Sequence, residues 1–244
     1  MGLVWVPGGE SWMGASKVPG SRNFDVEAFD DESPVHRVRV RAFWLGQHPV
    51  TNAQYRAFVQ AREHWAPDVW RREGFDGDEQ PATGVDWSDA RAFCTWLSQA
   101  SGVRAALPTE AQWEWAARGG EARKYPWGLE DPTPERAVFG RRRLAPVGGR
   151  PAGASPCGAE DMAGNVWEWT STAWGSSVSD PDISVSGDEI DSGKSSLSAS
   201  RVVRGGSWVD RPRLLRAAFR NLRPPVFRNE LLGFRVCVLC DPVR

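Results

Sequence analysis

The chain has 244 residues, room for one large domain or two small ones, and a hydrophobic content of 41% supports a sizeable core. A formal net charge of -1 argues against general affinity for nucleic acid or for an anionic membrane surface. No stretch is long and apolar enough to insert in a membrane, and the N-terminus has no basic region leading into an apolar run, so the default expectation is a cytoplasmic chain with reduced thiols, surface display by another route being left open.

The average charge hides a contrast. Residues 176–200 carry five acids and one Lys, whereas residues 201–244 carry ten Arg and three acids. Fourteen Trp against two Tyr, spread from Trp5 to Trp208, predict one core shared by the whole length, because large aromatic side chains can hold a Gly- and Pro-rich chain together.

In chain order, residues 35–43 alternate apolar and polar side chains and read as a half-buried strand. Thr51 opens a helix, with Gln54 three residues on completing a capping box. Ser88 is the expected N-cap of a second helix with Ala92, Phe93, Trp96 and Leu97 on one side and Gly102 as its stop. Thr109 and Gln112 form a further capping-box pair ahead of Trp113, Ala116 and Ala117. Residues 125–159 are rich in Pro, Gly and Arg and read as irregular loops, and residues 175–200 are Ser-, Asp- and Gly-rich and are expected to form an exposed insertion. Residues 232–239 are apolar enough for a core strand. The sum is a single α+β domain over 1–244.

These landmarks, in this order, resemble the formylglycine-generating enzyme family, the sulfatase-modifying factor domain. The matching stretches are VWVPGGESWMG from Val4, FWLGQHPVTNAQYRAF from Phe43, VDWSDARA from Val85, LPTEAQWEWAARG from Leu107, YPWG from Tyr125, DMAGNVWEWT from Asp161, RGGSW from Arg204 and LGFR from Leu232. The resemblance implies a C-type lectin-like fold of the formylglycine-generating-enzyme subtype, low in regular structure, with two main helices plus short antiparallel strands.

The resemblance also frames the chemistry. Family oxidases bind copper through two cysteines soon after the Gly-Gly-Ser-Trp-like strand, and thiolates suit Cu(I) because both are soft. Residues 209–220 contain no Cys, and the four cysteines of the chain are Cys94, Cys157, Cys237 and Cys240. No copper and no enzyme activity are therefore expected. The spacing of Asp161, Gly164, Val166 and Glu168 matches a family calcium loop, which implies a structural Ca²⁺ held by two carboxylates and two carbonyls. The family's second calcium loop falls at Val138 to Leu144, where Arg141, Arg142 and Arg143 stand, and is expected to be lost.

The stretch VDRPRLLRAAFRNLRPPVFRNEL from Val209 shows neither strand nor helix periodicity, yet its punctuation is regular: Pro212, Leu215 to Ala218, Arg220, Pro225, Arg228, then LGFR. That punctuation resembles the variable region of diversity-generating retroelement target proteins, whose invariant residues alternate with positions derived from Asn codons with randomised adenines. The positions between are Val209, Asp210, Arg211, Arg213, Leu214, Phe219, Asn221, Leu222, Arg223, Phe227, Asn229 and Leu231, with Pro224 among them. Glu230 and Val226 depart from the pattern. The resemblance implies a binding protein that displays these side chains, Phe219, Phe227, Leu214 and Leu222 beside the arginines, to a protein partner or an anionic ligand. The alternative is a sulfatase-modifying oxidoreductase.

Overall fold

A computed structural model describes residues 1–121, 123–175 and 198–240, and the backbone of residues 184–185. Most of the expected insertion at 175–200 lies outside the described residues. The strands are β1 (Leu3–Val6), β2 (Gly9–Met13), β3 (His36–Val40), β4 (Phe43–Gly46), β5 (Arg104–Ala106), β6 (Trp167–Ala173), β7 (Ser184–Val185), β8 (Arg201–Arg204), β9 (Arg220–Arg223), β10 (Leu232–Phe234) and β11 (Cys237–Leu239). The helices are α1 (Asn52–Arg62), α2 (Trp87–Ser101) and α3 (Glu110–Arg118). One sheet has the order β1-β4-β11-β5, a second β10-β6-β8-β9 and a third β2-β3-β7. Most pairings are antiparallel; β10 with β6 and β3 with β7 are parallel.

The helices begin where side-chain caps satisfy their first backbone N–H groups. Thr51 and Gln54 exchange side chain-to-backbone bonds at the head of α1 (3.3 and 3.0 Å), and Thr109 and Gln112 do so for α3 (3.1 and 2.9 Å). At α2 the cap is Asp86 rather than the expected Ser88: its carboxylate accepts from Asp89 N at 2.9 Å, and the Asp89 carboxylate accepts from Asp86 N at 3.0 Å. A carboxylate at both ends of the box is favoured by the positive end of the helix dipole. Gly102 ends α2 at φ +75°, where a side chain would be strained. α1 and α2 are the two longer helices, and α3, at the Thr109–Gln112 box, is shorter and buries most of its length.

The tryptophans do not share one core. One cluster gathers Tyr55, Phe58, Trp87, Phe93, Trp167, Trp169, Phe234 and Val236; another gathers Val6, Phe43, Leu45, Trp113, Ala116, Cys237 and Leu239. Trp5 and Trp44 stay on the surface as a contacting pair with ring centroids 5.1 Å apart. The expected strand 232–239 is split for the same reason. β10 belongs to the sheet over the first cluster and β11 to the sheet over the second. Arg235 lies at the crossing, fully buried. The three most buried Trp each donate their indole N–H to a buried acceptor: Trp87 to Thr170 O (2.9 Å), Trp169 to Val85 O (3.1 Å) and Trp113 to Glu168 Oε2 (2.8 Å).

Candidate ligand-recognition face

Residues 209–231 follow β8 and include β9, the edge strand of the second sheet. Their course is set by arginines, each held on a carboxylate far away in sequence. Arg204, fully buried, reaches Glu110 (3.2 Å) and Glu114, and donates to the carbonyls of Ala217 (2.6 Å) and Ala218 (3.0 Å). Arg216 donates to Asp25 (2.9 Å) and to both oxygens of Glu32, one of them at 2.9 Å. Arg220 grips Glu110 with two parallel bonds, Nε to Oε1 at 2.9 Å and Nη2 to Oε2 at 2.6 Å. Arg228 reaches Asp86 (2.6 Å) and Asp89 (3.1 Å) while lying over the Trp65 ring at 4.6 Å. Bidentate guanidinium–carboxylate pairs hold direction as well as distance, so an irregular backbone keeps one path.

These pairs also set the charge states. Burial alone would raise the Glu114 pKa, but the Arg204 and Arg118 charges outweigh it and hold the carboxyl below its ordinary range. Burial opposes the charge on Arg216 as well, and Glu32 and Asp25 more than restore it. At the cap of α2, burial lifts Asp86, while Asp89 is held low despite burial by the Asp86 backbone N–H, His64, Trp65 and Arg228.

Between the anchors the predicted contact positions divide. Val209, Arg211 and Arg213 are exposed, Val209 at 42%. Arg213 is steered by a bond to Glu27 O (3.0 Å) and by the Phe29 ring beneath it (3.9 Å). Leu214, Asn221, Leu222, Arg223, Phe227, Asn229 and Leu231 are half-buried. Asn221, in β9, and Asn229 spend their side-chain oxygens on nearby backbone groups, accepting from Leu222 N (2.8 Å) and Leu231 N (3.1 Å). Asp210 does likewise with Ser207 N (2.8 Å) and Ser207 Oγ (2.6 Å).

Phe219 corrects the expectation of an exposed ring. It is 9% exposed and packs edge-on against Phe29 (5.0 Å) and against Trp167 (5.8 Å) in the larger core cluster. The reason is its neighbours. Arg204 draws the Ala217 and Ala218 carbonyls inward, so the next side chain enters the same interior slot. Leu214 and Phe227 rest on the rim of that cluster, so they offer edges rather than whole side chains.

The candidate calcium loop is tight, with positive φ at Asp161 (56°), Gly164 (86°) and Asn165 (61°). A Cβ on Gly164 would stand 2.3 Å from Val138 O, which requires glycine there. Its carboxylates are already engaged. Glu168, fully buried, accepts from Arg235 Nε (2.7 Å) and Nη2 (2.7 Å) and from Trp113 Nε1. Asp161 accepts from Gly148 N (2.7 Å), and burial pushes its pKa up to about 6. A hard dication needs several open anionic oxygens, and a carboxylate whose oxygens already accept from a guanidinium and an indole N–H does not fit that need. Asp161, Gly164, Val166 and Glu168 are thus brought together as a turn whose charge is balanced by Arg235.

The cysteines are dispersed. Cys94 and Cys237 are buried, and burial lifts both thiols, Cys237 to about 12; Cys157 is half-buried against Ser155 and Ala116 O; Cys240 is exposed. Among the described residues no group of three or more His, Cys, Asp and Glu is placed to hold a metal, and no helix is long and apolar enough to cross a membrane.

The partners that shape this face, Asp25, Glu32, Asp86, Asp89, Glu110 and Glu114, are invisible to local sequence patterns, since they lie between 90 and 191 residues from Arg204, Arg216, Arg220 and Arg228. The one available signal was the surplus of Arg in the last part of a chain whose total charge is -1.

The chain matches the family described as "Sulfatase-modifying factor enzyme 1-like domain" over residues 1–239, and it belongs to that family. It is 34% identical to a formylglycine-generating enzyme of Streptomyces coelicolor, covering 96% of this chain and 88% of that one. It is 36% identical to a hercynine oxygenase of Mycobacterium tuberculosis over 86% of this chain, and so spans little more than half (55%) of that relative's length. The solved Treponema denticola variable protein 1 has the same fold, with a TM-score of 0.71 at 22% identity over 97% of this chain and 94% of that one. The fold is the expected formylglycine-generating-enzyme subtype of the C-type lectin fold. The expectation that the chain is not an enzyme is overturned, because relatives at 34–36% identity are named as enzymes; lack of Cys at residues 209–220 does not outweigh that likeness.

Proposed function

We propose that residues 209–231 are a ligand-recognition face, with changeable positions set between invariant anchors as in the target of a diversity-generating retroelement. One observation carries the reading: the division between side chains that hold the segment and side chains that leave it. Of the anchors, Leu215, Arg216, Ala217, Ala218 and Pro225 are buried while Pro212 and Arg228 are exposed, Arg228 being held by Asp86 and Asp89; of the positions between, Val209, Arg211, Arg213 and Pro224 are exposed. The exposed positions between anchors can change without touching the carboxylates that hold the backbone. Phe219 departs from this division and would tolerate the least change. The flanking DNA tests the reading: a near-copy of the region encoding the last residues, differing at adenines and lying beside a reverse transcriptase gene, supports it, and its absence refutes the retroelement part.

A second reading, a sulfatase-modifying oxidoreductase, is favoured by the 34% identity to a formylglycine-generating enzyme over 88% of that enzyme's length. The two readings meet in one site when the face recognises the substrate. A formylglycine assay on a Cys-containing sulfatase peptide, with copper supplied, decides it: turnover supports the oxidoreductase, and no turnover under conditions where the Streptomyces relative is active removes it.

A further inference from the structure

Two sets of arginines contrast. Arg204, Arg216, Arg220, Arg228 and Arg235 each sit on a carboxylate. Arg141, Arg142, Arg143 and Arg211 are exposed, and among the described residues none of the four has a carboxylate within 4.0 Å. Three acids of this part of the fold have their own partners or stronger local interactions. Asp210 caps Ser207, Glu230 pairs with Arg72 (3.3 Å), and Glu135, held low first by a hydrogen bond with Thr133, feels Arg150 and Arg141 only as lesser effects.

The two stretches that carry the free guanidiniums are stitched together. Gly140 N donates to Asp210 O (3.0 Å) and Arg141 N donates to Trp208 O (2.7 Å), so the 140–143 loop runs alongside the start of the 209–231 segment. Beneath them lies a small apolar cluster of Phe75, Val138, Leu144 and Trp208, which gives the loop a firm base. Arg143 reaches over Gly74, where an added Cβ would stand 3.4 Å from its Nη1. Val209, 42% exposed, stands within the same stretch as Trp208 and Asp210. Four unpaired guanidiniums beside one exposed aliphatic side chain form a strongly cationic patch on a chain whose net charge is -1. Such segregation raises the local concentration of anions and is costly to maintain in isolation, since like charges repel.

We infer that the loop Arg141-Arg142-Arg143 is the second half of the recognition face, and that together with Val209 and Arg211 it docks an acidic, Asp/Glu-bearing segment of a protein partner. The inference rests on the proposed recognition role of residues 209–231 and extends it to a loop outside them. Two features favour carboxylates on a peptide. A guanidinium presents paired N–H donors that match a carboxylate, and an exposed Val beside them gives a peptide side chain an apolar contact that a phosphate backbone lacks. Three of the four arginines are consecutive and the fourth is tied to them through the Gly140–Asp210 and Arg141–Trp208 backbone bonds, whereas a nucleic-acid site needs cations along a longer track of phosphates.

The experiment is a fluorescence-anisotropy titration of the whole chain with a fluorescein-labelled Glu-rich peptide, beside a single-stranded oligonucleotide of equal formal charge, at low and at physiological salt. The expected result is saturable peptide binding that weakens with salt, tighter than for the oligonucleotide, and reduced roughly tenfold or more in the Arg141→Glu/Arg142→Glu/Arg143→Glu variant with its melting temperature unchanged. Should that triple variant unfold, Arg142→Ser and Arg143→Ser singly carry the same test. Loss of peptide binding in Arg211→Glu but not in the loop variants overturns the loop's part and leaves the 209–231 face standing. No loss in either set overturns both. Oligonucleotide binding as tight as peptide binding overturns the peptide class, and no peptide binding by the unmodified chain overturns the inference outright.

Discussion

Arg216 and Glu32 meet in the interior with both side chains fully buried, 184 residues apart, each carboxylate oxygen accepting from a separate guanidinium nitrogen. The pair ties the variable-looking segment to a loop near the N-terminus, and it is the clearest case of how the face is held. A buried charge that loses its partner is left uncompensated. Arg216→Ala, or Glu32→Ala, should therefore cost on the order of 3–5 kcal/mol, measured by urea unfolding. Arg211→Ala, by contrast, should stay within about 0.5 kcal/mol of the unmodified chain. Equal effects at positions 211 and 216 would contradict the division into anchors and outward side chains.

Phe219 gives a second test. Its burial against Phe29 and Trp167 means that Phe219→Ala opens a cavity and should cost about 3–5 kcal/mol. Val209→Ala, on the exposed part of the same segment, should be close to neutral. A near-neutral Phe219→Ala in a denaturant titration would restore it to the exposed set.

Acid should unfold the protein partly through Glu114. Its carboxyl is held below the ordinary value of 4.5 in the fold, against burial, by Arg204 and Arg118. The unfolded chain then binds more protons than the folded one between the two values, so stability rises with pH there. The contribution is fully present above the unfolded value and is lost as pH falls through the folded one. Glu114→Gln should be less stable than the unmodified chain at neutral pH, and the gap should narrow as the pH is lowered below about 4. A gap that stays constant down to acid unfolding would show that the Arg204 and Arg118 charges do not act through this carboxylate.

Calcium should have little effect. With Glu168 committed to Arg235 and Trp113, chelation by EGTA should leave the melting temperature unchanged, and added CaCl₂ should not raise it. A specific site would stabilise the fold by RT ln(1 + [L]/Kd), about 2.7 kcal/mol at a hundredfold excess over Kd, which differential scanning fluorimetry would detect. A rise of that size would mean that Arg235 yields the loop to the cation.

Much of the fold was legible because it depends on short-range chemistry. The capping boxes at Thr51 and Thr109 located α1 and α3, since a cap is satisfied within three residues. The same rule explains the error at α2: two acids and a serine stand within four residues, and Asp86 won because it and Asp89 serve each other. The alternation from His36 to Val40 was legible because a strand's two faces meet different surroundings.

The ordered motifs, from the strand at Val4 to LGFR at the end, determined the family and with it the fold. The spacing of Pro212, Arg216, Arg220 and Arg228 marked the segment proposed as the recognition face. What only tertiary structure decided is which side chains of that segment reach solvent. Phe219 and Val209 are both apolar and both lie between anchors, and nothing within several residues of either tells them apart. Their fates depend on Phe29, Trp167 and the carbonyls drawn in by Arg204, all distant along the chain. The same holds for charge. Arg211 and Arg216 are identical side chains five residues apart, and only the folded chain places Glu32 against one of them and solvent against the other. Burial and ion pairing are properties of neighbours in space, so a pattern along the chain can mark the segment but not assign the role of each residue within it.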